Sequence, residues 1–155
     1  MTVLSSINTN SCWRTLVPAF RNLPLRAASG AFILNSGIGK LDLDAESAAG
    51  MQAMAARAFP QVEQMKPEEF GKLLALAETA LGAALLLPIV PRVVAGLGLT
   101  AFSSGLLWMY HKTPGLTGDG VRPTPDGIAI AKDVFLLGIG LSLVADGLTP
   151  KRRSR

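Results

Sequence analysis

Hydrophobic residues along this chain are gathered into four long segments separated by polar connections. The segments cover residues 23–41, 73–90, 93–110 and 128–148. A helix needs about 20 mostly apolar residues to cross a hydrocarbon core of roughly 30 Å, and each segment is close to that length. The third segment contains no charged residue, and the charges of the others lie mostly near their ends. The pattern predicts an all-α protein, an integral membrane four-helix bundle with antiparallel up-down topology.

The short connections support this topology. Pro67 followed by Glu68 and Glu69 is typical of a first helical turn, where a proline is tolerated and the helix dipole favours acids. The second helix is therefore predicted to begin at Pro67. Pro88 and Pro91 bracket a tight turn, which predicts that the second and third helices pack as an antiparallel pair.

Two longer connections carry different signals. In the connection 42–66, small or apolar residues recur near helical spacing at Ala48, Met51, Ala55 and Ala58. This spacing predicts a short amphipathic helix on the extracytoplasmic surface, with Gln52 on its polar side. The connection 113–127 is rich in proline and glycine and is predicted to be irregular.

Composition supports a membrane protein and excludes several kinds of site. Hydrophobic residues make up 49% of the chain. The single cysteine, Cys12, excludes an internal disulfide and a Cys-x-x-Cys motif, and the single histidine, His111, excludes a site built from several imidazoles. We therefore expect no metal and no cofactor held within the chain alone. The net charge of +4 is concentrated in the tail 151–155, which favours a membrane anchor over a nucleic-acid surface.

Basic residues also set the expected orientation. The flanks on the side of both termini contain basic residues only, whereas the longer loops on the other side mix basic and acidic residues. The positive-inside rule then places both termini in the cytoplasm of a multi-pass protein of the cell membrane. The expected organisation is a cytoplasmic interfacial segment at 1–22, a four-helix membrane domain at 23–148, and a basic cytoplasmic tail at 149–155.

Alternating helix directions bring distant charges to the same depth near the outer face. These candidate site residues are Lys40, Glu78, His111, Lys132 and Asp133. Glu78 lies about one and a half turns inside its segment, so its carboxylate should face the bundle interior and pair with Lys40 or Lys132. A structural ion pair is favoured over a functional role.

Arg26, Arg92 and Asp146 meet by the same reasoning at the inner face. Long basic side chains at helix ends commonly extend towards the membrane surface. This cluster is interpreted as anchoring.

Trp108 and Tyr110 lie beside His111 and are candidate contacts for a quinone, with the imidazole on a carbonyl oxygen. The alternative is an aromatic belt at the interface, where Trp and Tyr concentrate in membrane proteins. The belt is the favoured interpretation.

Several short motifs resemble those of the DoxX-like membrane proteins. They are Arg26 and Phe32 in the first segment, GIGKL at 37–41, Glu78 with Leu81, Gly82 and LLLPIVP in the second segment, His111, and AIAKDVFLLGIGLSLVADG at 129–147. The resemblance implies a four-helix membrane bundle. In some members it is linked to sulfur and redox metabolism, including a thiosulfate:quinone oxidoreductase subunit and a complex associated with oxidative-stress enzymes. The resemblance does not identify a catalytic motif in this chain.

The resemblance leads us to expect an accessory subunit of a redox-linked membrane complex, whose partners are the lipid bilayer and other membrane or redox subunits. One alternative is a quinone-binding or sulfur-compound oxidoreductase subunit with its own site at Lys40, Glu78 and His111. Another is a purely structural scaffold. A cavity reaching Glu78 would favour binding, and close ion pairs without a cavity would favour the scaffold.

Overall fold

A computed structural model describes residues 22–149, and all regular structure within that range is helical. The elements are α1 (Leu23–Ile38), α2 (Ala45–Ala56), a 3₁₀ helix (Pro60–Gln64), α3 (Pro67–Leu86), α4 (Arg92–Lys112), the short α5 (Ile128–Ala131) and α6 (Asp133–Leu148). The prediction of an all-α fold is confirmed for these residues. The expected interfacial segment at 1–22 and basic tail at 149–155 lie almost entirely outside them.

Helices α1 and α3 form a close antiparallel pair. A Cβ atom added at Gly82 would lie 2.5 Å from the backbone nitrogen of Leu34, and one at Gly37 would lie 2.5 Å from that of Thr79. Residue numbers rise along α1 as they fall along α3, so the two helices run in opposite directions. Glycine is required because the backbones approach too closely for any side chain.

Helices α4 and α6 form a second antiparallel pair. A Cβ atom added at Gly96 would lie 2.9 Å from the carbonyl oxygen of Gly140, and one at Gly147 would meet Val93. The two pairs meet less extensively than the helices within each pair. A core joins them, formed by Ile33, Leu85, Ala95, Leu99 and Leu143.

The ends of the helices differ in places from the predicted segments. Helix α3 begins at Pro67, as predicted, but ends at Leu86 instead of Val90. The proline at position 88 explains this early end, because a proline disfavours the helical conformation in the residue before it, and Leu87 is extended. The first helix ends at Ile38, and the fourth apolar segment is broken at Lys132 into α5 and α6.

Two stretches within the described range are long and apolar enough to cross a membrane, Arg92–Lys112 and Ile128–Leu148. Only 28% and 11% of the residues in their most apolar windows are buried by the rest of the protein. Apolar helices with so little protein cover are typical of lipid contact. Helix α1 is shorter, at 16 residues, and α3 carries Glu69, Lys72 and Glu78.

A helix is present in the connection 42–66, as predicted. Its first turn is capped by Asp44, whose carboxylate accepts hydrogen bonds from the backbone nitrogen and the hydroxyl of Ser47 at 2.7 and 3.0 Å. These bonds hold the pKa of Asp44 below its usual value. The assignment of Gln52 to the polar side is wrong, because Gln52 is buried and donates to the carbonyl oxygens of Val62 and Met65 at 2.6 and 2.7 Å. The chain returns beside α2 after the 3₁₀ helix, and Gln52 satisfies those carbonyls.

Candidate functional site

A cavity of about 670 Å³ lies between the two helix pairs. Its walls are mostly apolar and include Phe32 of α1, Phe102 and Leu106 of α4, and Leu136 of α6. Helix α2 and the residues that follow it contribute Met51, Met54, Ala55, Phe59 and Val62. The predicted amphipathic helix therefore forms part of the wall of a cavity. A volume of this size is within the range of small-molecule sites in proteins.

Lys40 and Glu78 form the polar end of this cavity. The ammonium of Lys40 lies 2.7 Å from Oε2 of Glu78, and the side chains are 18% and 6% exposed. Lys40 also donates to the hydroxyl oxygen and the carbonyl oxygen of Ser36, at 2.6 and 3.3 Å. Residues 36 and 40 are one helical turn apart, and α1 ends between them at Ile38. The expected pairing of Glu78 with Lys40 is thus present in the structure.

Asp133 lines the same cavity from the first turn of α6. It is partly buried, and Glu78 lines the same cavity. Within residues 22–149 the Asp133 carboxylate has neither a hydrogen bond nor an ion pair. The cavity therefore contains one carboxylate that is paired and one that is not.

These walls and charges favour a small molecule with an apolar body and one polar end. The apolar walls would bury the body, and the charged groups would fix the orientation of the polar end. Among residues 22–149 there is no group of three or more His, Cys, Asp or Glu side chains placed to hold a metal ion.

The remaining residues of the predicted outer cluster lie elsewhere. His111 and Lys132 are exposed, and neither lines the cavity. The ring of Trp108 is 48% exposed, lies 6.3 Å from the imidazole of His111, and is covered by the ammonium of Lys112 at 4.6 Å. The structure brings Lys40, Glu78 and Asp133 together and leaves His111, Lys132 and Trp108 outside.

Tyr110 is also separate from the cavity. Its ring is buried, and its hydroxyl donates to the carbonyl oxygen of Val121 at 3.0 Å. Val121 belongs to the connection 113–127, where Gly115 and Gly120 adopt positive φ angles of 88° and 86°. Tyr110 thus fastens this irregular connection to the end of α4.

Arg26 contacts the end of α3. It is only 9% exposed and lines a second pocket together with Asn22 and Arg92. Its guanidinium donates to carbonyl oxygens at and beyond the end of α3, those of Ala84, Leu85, Leu87 and Val90, at 2.7 to 3.1 Å. The last carbonyls of a helix have no partner within it, so Arg26 caps α3. The prediction that Arg26 helps to anchor the inner face is not tested by these contacts and stays a prediction.

Arg92 and Asp146 form an ion pair at the same end of the bundle, with 2.9 Å between the guanidinium and the carboxylate. Asn22 also donates to this carboxylate. The start of α1 and the end of α6 therefore meet. Arg26 lines a pocket with Arg92, so Arg26, Arg92 and Asp146 lie at the same end of the bundle, as the sequence predicted.

Sequence reasoning missed most of the cavity wall. Ser36 could have been found, because it lies four residues before Lys40, a spacing that brings side chains together at a helix end. Phe32 and Phe102 carried no such signal, because an apolar side chain in an apolar segment looks the same whether it faces lipid or a cavity. Phe59 lies outside those segments, in the connection 42–66.

The sparsely covered apolar helices and the glycine-mediated antiparallel pairs define a small helical membrane protein. The DoxX family model matches residues 22–112, more than half of the chain. The chain belongs to the DoxX family. The match covers α1 to α4 and stops before α6, so the resemblance noted for 129–147 stays a prediction. Comparisons with curated proteins and with solved structures give no match.

Proposed function

We propose that this protein is a membrane subunit that binds a lipid-soluble, quinone-like molecule in the cavity and works within a redox-linked membrane complex. The observation that carries the proposal is an apolar cavity of about 670 Å³ that reaches Lys40, Glu78 and Asp133. Apolar walls with a few charged groups at one end are typical of small-molecule sites.

The proposed topology has four membrane crossings, formed by α1, α3, α4 and the apolar segment 128–148, with both termini cytoplasmic. The contacts of Asn22 and Arg92 with Asp146 support this topology, because the start of α1 and the end of α6 lie at the same end of the bundle. Basic residues concentrated near both termini support the cytoplasmic assignment. The test is membrane-impermeant maleimide labelling of a Ser154→Cys, Cys12→Ser protein in intact cells. Labelling of position 154 from outside the cell would show that the orientation is the opposite of the proposed one.

Ligand binding is tested with protein in nanodiscs, using decylubiquinone as the probe and calorimetry as the readout. A Gly105→Leu variant should weaken binding at least tenfold, because position 105 lines the cavity and its Cβ would be in ordinary contact with Phe59. The matched control is Gly138→Leu, where an added Cβ meets nothing within 4 Å. Equal binding by both variants would place the quinone outside this cavity.

Membership in a complex requires a separate test. Purification of the tagged protein from its native membranes in mild detergent should recover redox subunits in fixed proportion. Recovery of the protein alone, with quinone binding intact, would reduce the proposal to a quinone-binding membrane protein. Recovery of partners without quinone binding would favour the structural scaffold, for which the closed Lys40–Glu78 pair is the supporting observation.

A further inference from the structure

The hydrogen-bond donors at the polar end of the cavity are largely occupied. A lysine ammonium has three N–H donors and no acceptor. In this structure Lys40 directs its ammonium at Oε2 of Glu78 and at the two oxygens of Ser36. The donor that remains among the lining side chains is the hydroxyl hydrogen of Ser36. A carbonyl oxygen entering the cavity therefore finds only a neutral donor.

The acceptors are in excess. The charged side chains that line the cavity are Lys40, Glu78 and Asp133, which sets two carboxylates against one ammonium. Asp133 has no partner among the described residues, and an ionised carboxylate accepts hydrogen bonds only. The polar end thus favours a group that brings its own N–H or O–H hydrogen.

We infer that the cavity prefers a ligand whose polar end donates hydrogen bonds, and therefore binds the hydroxyl-bearing hydroquinone form more tightly than the carbonyl-bearing quinone form. The inference rests on the proposed function, which places a quinone-like molecule in this cavity. A hydroxyl placed against Asp133 makes a charge-assisted hydrogen bond, whereas a carbonyl oxygen there faces a like partial charge. The expected preference is about tenfold, near the lower end of what a hydrogen bond to a charged group contributes.

This preference has a second observable. Tighter binding of the reduced form stabilises it against oxidation, so the midpoint potential of the bound couple should rise. A tenfold preference corresponds to about 30 mV for a two-electron couple. The potential of the bound couple therefore measures the same difference independently of calorimetry.

The experiment compares decylubiquinol and decylubiquinone, under anaerobic conditions, on the protein in nanodiscs. A second probe pair cannot change redox state: 4-nonylphenol, which donates a hydrogen bond, and its methyl ether, which does not. The test variant is Asp133→Asn, and the control is Asp126→Asn in the exposed connection 113–127. Thermal unfolding checks that both variants fold.

The unaltered protein and the Asp126→Asn control should bind the hydroxyl-bearing member of each pair about tenfold more tightly. Asp133→Asn should reduce that preference to less than threefold, since an amide can also donate to a carbonyl. Equal or tighter binding of decylubiquinone would overturn the inference, as would a preference that survives in Asp133→Asn.

The failure of the inference and the failure of the proposed function give different results. If both quinone forms bind equally and Gly105→Leu abolishes both, the proposed function stands and the donor preference is wrong. If neither quinone form binds but the phenol binds more tightly than its ether, the donor preference stands and the quinone assignment is wrong. If no probe binds, both are wrong.

Discussion

Replacing Lys40 by Met should destabilise the protein more than replacing Glu78 by Gln, and the two changes together should be less harmful than their sum. Lys40 and Glu78 lie 2.7 Å apart with side chains 18% and 6% exposed. Removing one partner of a buried pair leaves the other charge without compensation. The charge left behind differs between the two variants, and so does what surrounds it.

In Lys40→Met the carboxylate of Glu78 is stranded beside Asp133, with no cation among the side chains that line the cavity. Breaking a buried pair in this way costs about 3–5 kcal/mol, and the partial exposure of Lys40 places the expected loss at about 3 kcal/mol. In Glu78→Gln the ammonium keeps Ser36 as an acceptor and gains the amide oxygen. The loss should then be about 1–2 kcal/mol, the magnitude of one weakened charged hydrogen bond.

The assay is equilibrium unfolding in mixed micelles with increasing SDS, applied to both single variants and to the double variant. The double variant removes both charges, so it should recover at least about 2 kcal/mol of the summed losses. Lys72→Met is the control, because Lys72 is exposed on α3 and surface substitutions usually change stability by less than about 0.5 kcal/mol. If each single variant lost less than about 0.5 kcal/mol and the two losses simply added in the double variant, the pair would not be stabilising.

The same variants separate structure from function. Suppose that Glu78 only holds Lys40 in place and does not contact the ligand. Folded Glu78→Gln protein should then bind decylubiquinone within about threefold of the unaltered protein, because the binding free energy changes by less than the roughly 1 kcal/mol of a hydrogen bond. The activity of a host complex should then fall only with the amount of folded subunit. Normal folding and assembly with lost turnover would show that Glu78 itself contacts the ligand or transfers a proton.

Three further changes test the packing. Arg26→Met should cost about 2–4 kcal/mol in the SDS titration, because it leaves the carbonyl oxygens at the end of α3 without donors; full stability would contradict the capping role. Gly82→Ala should lose more than about 2 kcal/mol by forcing α1 and α3 apart, whereas Gly138→Ala should be neutral or stabilising in the same assay. Tyr110→Phe should speed hydrogen exchange in the connection 113–127 without changing ligand affinity, and unchanged exchange would show that the hydroxyl contact is dispensable.

Depth in the bundle could be predicted from the sequence, because a helix rises by a fixed 1.5 Å per residue. That regularity placed Glu78 beside Lys40 across a gap in sequence of 38 residues. Proline chemistry likewise gave the start of α3. Both are local or nearly geometric properties, so one sequence suffices to predict them.

Rotation about each helix axis could not be predicted in the same way. Trp108, Met109 and Tyr110 are consecutive, yet Met109 lines the cavity, Trp108 is exposed and Tyr110 holds the following connection. Successive residues differ by about 100° in direction, and the direction that faces the interior is set by how the helices pack. Between Val93 and Tyr110, α4 has no charged side chain, so the hydrophobic pattern does not mark the buried face. The quinone contacts proposed from Trp108 and Tyr110 depended on that missing direction.

The hydrogen bonds of Arg26 also affect the order in which the helices enter the membrane during synthesis. Its carbonyl partners come 58 to 64 residues later in the chain. In the proposed four-crossing topology, a newly made α1 carries an arginine whose hydrogen bonds cannot form until α3 has left the ribosome. The first helix should therefore stay near the translocon or the lipid headgroups, and settle in the bilayer together with α3. Helices α4 and α6 then enter as a second unit beside a completed first pair.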